Sequence, residues 1–165
     1  MRTSVKWRSL VLAAVSCSWF VFVAQAAAQG TRTTDIAVVV HPDTPVSDLS
    51  LSEVRKVLLG ERQYWNSEVP VVLLIRAPVA RERAVVLKVI YQMTEAQFKQ
   101  FWIAKIFRAE AVSAPKIVYS NDMANELVKA IPGAIAFMDA KDVRPGARVI
   151  RVSGRLPGEP GYQLR

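Results

Sequence analysis

Three arginines lie close together where an apolar run gives way to the pattern of a helix. Arg76 ends the run, and Arg81 and Arg83 fall in the first turn of the predicted helix. The start of a helix carries partial positive charge, so each cation there costs about 0.3–1 kcal/mol. An anion bound between the arginines would offset that cost. The alternative is that Glu82 and solvent neutralise the group, with Arg83 lying along the surface.

A second predicted junction between a strand and a helix carries small polar side chains. Ser120 and Asn121 stand just before a helical pattern. Their hydroxyl and amide groups could bind a ligand at the helix start. Serine and asparagine are also the residues that ordinarily cap a helix. Ligand binding and simple capping are therefore both open for this pair.

The N-terminus has the layout of a cleaved secretory signal peptide. Arg2, Lys6 and Arg8 precede an apolar stretch at residues 10–23, and small residues follow up to Ala28. The apolar stretch is shorter than the ~20 residues that a membrane-spanning helix needs. We therefore predict a signal peptide at residues 1–28, a periplasmic or secreted protein, and no stable membrane span after cleavage.

The residue types that most enzymes and metal sites need are scarce. Cys17, the only cysteine, lies inside the predicted signal peptide, where we expect no lipid anchor, and His41 is the only histidine. The sequence has no Gly-x-Ser-x-Gly elbow and no glycine-rich phosphate loop. Carboxylate pairs such as Asp139 and Asp142 fit turn and cap positions. We expect no catalysis, no metal site and no cofactor.

The net charge indicates which classes of partner to expect. The chain has 22 Lys and Arg against 14 Asp and Glu, and without the three cations of residues 1–28 its net charge is +5. A moderately basic exported domain favours anionic ligands or anionic envelope surfaces. The basic residues are scattered singly and not interleaved with exposed aromatic residues, so a nucleic-acid partner is not expected.

Apolar runs alternate with helical patterns, which predicts one domain at residues 29–152. The predicted strands are 36–40, 69–75, 115–119, 134–138 and 147–152; the predicted helices are 51–59, 80–92, 95–109 and 121–131. Short apolar strands between helices predict an α/β three-layer sandwich, a mostly parallel sheet with helices on both faces. Residues 153–165 are rich in Gly and Pro and are predicted to form a flexible tail.

Five pieces of the sequence carry a resemblance to a known family. They are IAVVVHP at 36–42, LSLSEVRKVLLGERQYW at 49–65, LLIRAP at 73–78, MTEAQFKQFWIAKIF at 93–107 and AIPGAIAFMDA at 130–140. In order and spacing they resemble one lobe of the phosphate ABC transporter substrate-binding proteins, which are type II periplasmic binding proteins. The resemblance implies a single-lobe, non-catalytic, solute-binding-like domain.

The resemblance also bears on the site. Arg76 matches the arginine that ends the family's phosphate-site strand, whereas the family's Ser-Gly-Thr turn falls near Ala80, Arg81 and Glu82, which do not match it. We therefore expect a domain that binds phosphate or another anionic small molecule. The candidate ligand-binding residues are Arg76, Arg81, Arg83, Ser120 and Asn121. The alternative is a structural or adaptor subunit of an envelope complex, which would contact a protein partner or a second copy and bind no small molecule.

Overall fold

The apolar runs predicted as strands form the central sheet. The computed structural model describes residues 34–111 and 113–165, so the predicted signal peptide lies outside the described residues. The strands are β1 (Ile36–Val40), β2 (Asp48–Leu49), β3 (Val72–Arg76), β4 (Lys116–Val118), β5 (Ala134–Asp139), β6 (Arg148–Val149) and β7 (Arg151–Val152).

The central sheet has the strand order β4-β3-β5-β1-β6. β3 pairs in parallel with β4 and β5, and β1 is antiparallel to β5 and β6. β3, β4, β5 and β6 therefore point one way and β1 the other, which confirms the predicted mostly parallel sheet. β2 and β7 form a separate parallel pair. The predicted last strand is split, with Ile150 between β6 and β7.

The helices form where periodicity and capping residues predicted them. They are α1 (Leu51–Leu58), α2 (Arg81–Val86), α3 (Glu95–Phe107) and α4 (Asn121–Ala130); α2 continues into a π-helical turn at Leu87–Tyr91, and a 3₁₀ turn follows β5 at Ala140–Asp142. Ser50 with Glu53 and Thr94 with Gln97 form capping boxes at the starts of α1 and α3. No helix within residues 34–111 or 113–165 is both long and apolar enough to span a bilayer.

Helices cover both faces of the sheet. On β1, Ile36, Val38 and Val40 belong to one buried cluster, and Ala37 and Val39 to the other. The first cluster includes residues of α1, α2 and α3, and the second includes residues of α4. This alternation follows from the period of two along a strand. The predicted three-layer sandwich is therefore confirmed.

The C-terminal residues differ from the expectation of a flexible tail. Tyr162 and Leu164 are 3% and 0% exposed. The Tyr162 hydroxyl donates to the Ile36 carbonyl at 2.7 Å, and the Ile36 N–H donates to the Leu164 carbonyl at 2.8 Å. Arg165 pairs with Asp35 at 3.1 Å. Two buried apolar side chains and these bonds attach the segment to β1, which its Gly- and Pro-rich composition concealed.

Candidate functional site

A polar crevice lies where the parallel strands end. β3 ends at Arg76 and β4 at Val118, which are paired in register, and the 3₁₀ turn after β5 completes the same edge. The crevice has a volume of about 490 Å³ and an open mouth. Open α/β sheets bind their ligands at the carboxyl ends of their strands. The polar side chains in its lining include those of Arg76, Ser120, Asn121, Lys141 and Arg144.

Arg76 is largely buried in the lining, with a side chain only 12% exposed. Its Nη1 donates to the Val118 carbonyl at 3.5 Å, the far limit of a hydrogen bond. Its Nε is buried and has no hydrogen-bond partner among residues 34–111 and 113–165. Glu82 supplies a carboxylate 3.6 Å from Nε, which compensates charge but is too distant for a hydrogen bond. Nη2 makes no hydrogen bond within the described residues, so the guanidinium keeps a donor that an oxyanion in the crevice could use.

Ser120 and Asn121 meet Arg76 in this crevice. The Ser120 hydroxyl accepts a 3.0 Å hydrogen bond from the Met123 N–H, so it caps α4. The Asn121 amide donates to the Asp142 carboxylate at 2.7 Å. Asn121 Oδ1 is buried without a hydrogen-bond partner in the described part of the chain. Capping is thus observed for Ser120, and ligand binding by the pair stays a prediction.

The crevice carries both signs of charge. Asp122 accepts a hydrogen bond from Arg144, and Asp142 accepts one from Asn121, so each carboxylate is held by a neighbour. Lys141 has no ion-pair partner among the described residues. The cations of the lining exceed its carboxylates by one, an excess that Glu82, behind Arg76, offsets. The lining and Glu82 together therefore carry no net charge, so an anion would have to be held by individual donors.

Arg81 does not line this crevice. Its Nη1 donates to Asp139 at 2.6 Å and to the Thr34 hydroxyl at 3.0 Å. Its side chain is 41% exposed, so it is neither buried nor free in solvent. An intramolecular carboxylate from the end of β5 thus neutralises a cation that the sequence placed near a possible anion.

Arg83 points away from the crevice, into the packing between α2 and α3. The expectation that it lies along the surface is wrong, because its side chain is 5% exposed. Its Nε donates to Glu95 at 2.9 Å and its Nη1 to the Arg76 carbonyl at 2.9 Å, and its guanidinium lies 4.8 Å from the centre of the Phe98 ring. The hydrogen bond from Arg83 holds the pKa of Glu95 below its ordinary value.

The three arginines therefore do not converge on one concave surface. Each faces a different carboxylate, and only Arg76 lines the crevice. Sequence reasoning missed Lys141 and Arg144, which follow β5. Only the strand order could have indicated these two residues, because the segments that follow parallel strands all lie at the same edge of the sheet. In the described part of the chain, no group of three or more His, Cys, Asp or Glu side chains could hold a metal ion.

Solved structures match the chain at the level of the fold. A protein described as a phosphate ABC transporter substrate-binding protein with bound phosphate, from Clostridium perfringens, matches 79% of this chain over 51% of its own, with TM-score 0.62 and 18% identity. An ABC-type phosphate transport receptor from Vibrio cholerae matches 79% of this chain over 52% of its own length, with TM-score 0.63 and 19% identity. PstS from Borrelia burgdorferi matches 79% of this chain over 53% of its own length, with TM-score 0.62 and 14% identity.

The chain has the phosphate-transporter substrate-binding fold. It spans about half the length of the three structures, as a single lobe does. The fold predicted from the five sequence pieces is thereby confirmed. Neither a protein-family model nor a curated protein matches the sequence.

Proposed function

We propose that this chain is an exported, non-catalytic, solute-binding-like domain that takes a phosphate-like oxyanion in the crevice at Arg76. The observation that carries the proposal is the guanidinium of Arg76, which lines an open crevice and makes one hydrogen bond, 3.5 Å long, within residues 34–111 and 113–165. Guanidinium groups form short, charge-assisted hydrogen bonds with phosphate and carboxylate oxygens. The fold shared with phosphate-transport proteins makes phosphate the first anion to test.

The neighbouring side chains define how the anion is held. Lys141 belongs to the same lining as Arg76 and adds a cation with three donors. After a small rotation of its buried amide, Asn121 Oδ1 can accept a hydrogen bond from a protonated oxygen of the ligand, since no described residue donates to it. The carboxylates of Glu82, Asp122 and Asp142 repel a dianion. We therefore expect phosphate to bind more weakly than in a site lined by cations and hydroxyls alone.

Thermal unfolding of the purified protein in phosphate, sulfate or acetate at constant ionic strength tests the proposal. A ligand that binds only the native state stabilises it by about 1.4 kcal/mol at ten times its Kd. Phosphate should therefore raise the midpoint in a saturable way, and Arg76→Gln should abolish the rise. Arg151→Gln is the matched control, because Arg151 is exposed on β7, away from the crevice. An unchanged rise in Arg76→Gln, or no rise in the unmodified protein, contradicts the proposal.

A further inference from the structure

A second concave surface, the α3–β4 groove, is lined in part by Arg83 and has a volume of about 510 Å³. Ile103, Ile106 and Phe107 of α3 form one wall, and Ile75 and Ile117 of the sheet form the floor. Apolar side chains make up most of its surface. The groove shares no lining residue with the Arg76 crevice, so the inference below does not rest on the proposed function.

The side chains of the groove are unusually exposed for their type. Phe107 is 92% exposed, Ile103 54%, Ile117 44% and Ile106 41%. Helix α3 buries Phe98 and Trp102 against the core and presents Ile103, Ile106 and Phe107 on a separate flank. Soluble monomers seldom expose a contiguous apolar surface, and such surfaces mark interaction sites. A helix with apolar residues on two sides is expected to be covered on both.

The sheet beneath the groove lacks one covering element. Ile117 on β4 pairs with Ile75 on β3 in parallel register, so both side chains lie on the same face of the sheet. α3 covers Ile75, which is 4% exposed, but leaves Ile117 half-exposed. β4 is the edge strand on this side of the central sheet. The uncovered strip is bounded by α3 on one side and the sheet edge on the other, which suits one further helix packed alongside α3.

The charges around the groove indicate the chemistry of that helix. Lys99 belongs to the lining and has no ion-pair partner in the described ranges, whereas Glu95, the carboxylate of the lining, is engaged by Arg83. A second copy bound by the same face would oppose two linings of the same net positive charge, since Arg83 and Lys99 outnumber Glu95, which is unfavourable. A partner with acidic residues would complement Lys99.

We propose that the α3–β4 groove docks an amphipathic helix of a partner protein, with an apolar row at i, i+3, i+4 and i+7 and acidic residues flanking that row. The apolar row fills the space between Phe107, Ile103 and Ile117. The acidic flank faces Lys99. A concave strip between a helix and a strand edge accepts such a helix better than it accepts the flat surface of a bilayer.

A displayed library of 18-residue amphipathic helices with randomised flanking charges tests this proposal on the full chain. Selection should enrich helices with acidic flanks, and Phe107→Ser or Ile103→Ser should weaken their binding at least tenfold. Both side chains are more than half exposed, so these variants should fold. Tyr64→Ser is the matched control, since Tyr64 is 53% exposed and lies outside the groove. Lys99→Glu should shift the selected helices towards basic flanks.

Other outcomes overturn the proposal. Selected helices without an acidic bias, or helices that bind the Phe107→Ser and Ile103→Ser variants as well as the unmodified chain, exclude the groove as their site. A dimer in sedimentation that dissociates in Phe107→Ser assigns the face to a second copy. Binding to phosphatidylglycerol vesicles that is lost in Phe107→Ser assigns it to a lipid surface. Arg76→Gln should leave helix binding unchanged, so failure of the helix proposal can be distinguished from failure of the anion-binding proposal.

Discussion

Arg76 occupies an environment that compensates its charge but leaves its hydrogen bonds incomplete. Glu82 lies 3.6 Å from Nε, and 12% of the side chain is exposed. Within the described residues, the guanidinium makes one hydrogen bond, and it is 3.5 Å long. Burying polar groups without partners is unfavourable, so such an arrangement is uncommon in a purely structural arginine. Arg83 makes the contrast, since its guanidinium bonds to Glu95 and to the Arg76 carbonyl.

Replacing Glu82 should strengthen anion binding. Glu82→Gln removes the buried carboxylate that competes with an anion for Arg76. We expect phosphate affinity to rise by roughly fivefold, or about 1 kcal/mol, measured by calorimetric titration. Without phosphate the variant should unfold at a lower temperature, because the charge of Arg76 is then uncompensated. Glu126→Gln, which removes an exposed carboxylate paired with Lys129, should change neither quantity. If the Glu82 variant binds phosphate with the same affinity as the unmodified protein, Glu82 does not compete with the anion for Arg76.

The Arg83–Glu95 pair should make stability depend on pH on the acidic side. The hydrogen bond from Arg83 lowers the pKa of Glu95 below its ordinary 4.5 in the folded protein. A depressed folded-state pKa contributes stability above the unfolded-state pKa, and this stability is lost as pH falls through the folded-state pKa. At pH 7, Glu95→Gln should therefore destabilise the protein by about 1 kcal/mol, a modest value because Glu95 is half-exposed.

Denaturant unfolding at several pH values checks this dependence. The difference between the unmodified protein and Glu95→Gln should shrink as pH falls below about 4.5. Glu61→Gln, at an exposed position after α1, serves as the control. A difference that stays constant down to pH 3 would show that the carboxylate charge does not stabilise Arg83.

At the scale of elements, two pieces of the family resemblance interlock. Trp65, which ends the segment after α1, donates its indole N–H to the Gly133 carbonyl at 2.8 Å. Gly133, which precedes β5, has φ +76°, and a Cβ there would lie 2.0 Å from the Pro70 carbonyl oxygen. The β3 amide of Val72 also donates to Gly133, at 3.1 Å. The segment that ends at Trp65 and the Pro-Gly turn before β5 are therefore in contact, and this contact holds β3 against β5.

Gly133 should not tolerate a side chain. Gly133→Ala combines a left-handed backbone with a clash against Pro70, and we expect it to lower the unfolding free energy by about 3 kcal/mol or more. Gly158→Ala is the matched control, because Gly158 has φ +90° but nothing within 4 Å of the added Cβ. It should lose only about 1–2 kcal/mol. Similar losses in denaturant unfolding would contradict the close approach.

Local signals account for the elements that the sequence predicted well. The boxes at Ser50 and Thr94 are each completed by a side chain three residues away, so they need no tertiary information. The partners of the arginines are different, since Arg81 meets Asp139 across 58 residues and its pairing depends on how β5 lies beside β3. The closeness of the three arginines in the sequence therefore predicted a shared site, but only Arg76 lines the crevice.

At the scale of the whole molecule, the C-terminal segment completes the core. Leu164 is fully buried in the cluster that contains Ile36 and Val38, and Tyr162 lies beside it with its hydroxyl on β1. Burial raises the pKa of Tyr162 above its ordinary value. Composition alone predicted a loose tail, because Gly and Pro dominate the segment and the two anchoring side chains are too few to show a period.

Truncating Leu164 should therefore destabilise the protein. Leu164→Ala removes a fully buried side chain and should lower the unfolding free energy by about 2–5 kcal/mol. Gln163→Ala, one residue earlier and exposed, should stay within about 0.5 kcal/mol of the unmodified protein. Chemical denaturation measures both. Equal, near-zero effects would mean that the segment is a tail after all.

The fold of the whole domain could be predicted because several local patterns agreed with each other and with the resemblance. Of the predicted ligand-binding residues, only Arg76, Ser120 and Asn121, which adjoin strand ends in the sequence, line the crevice, and their binding of a ligand stays a prediction. Lys141 and Arg144 join them through the sheet order, which no local pattern encodes. The chain spans about half the length of the phosphate-transport structures that it matches.

The central claim is that an oxyanion binds directly to Arg76, and nuclear magnetic resonance of the arginine Nε–H groups tests it most directly. Titration with phosphate should move the Arg76 Nε–H resonance, assigned by its loss in Arg76→Lys, along a saturable curve. The Arg83 Nε–H, already bonded to Glu95, should stay in place. An Arg76 resonance that does not move, or that drifts linearly together with that of Arg83, would contradict the claim.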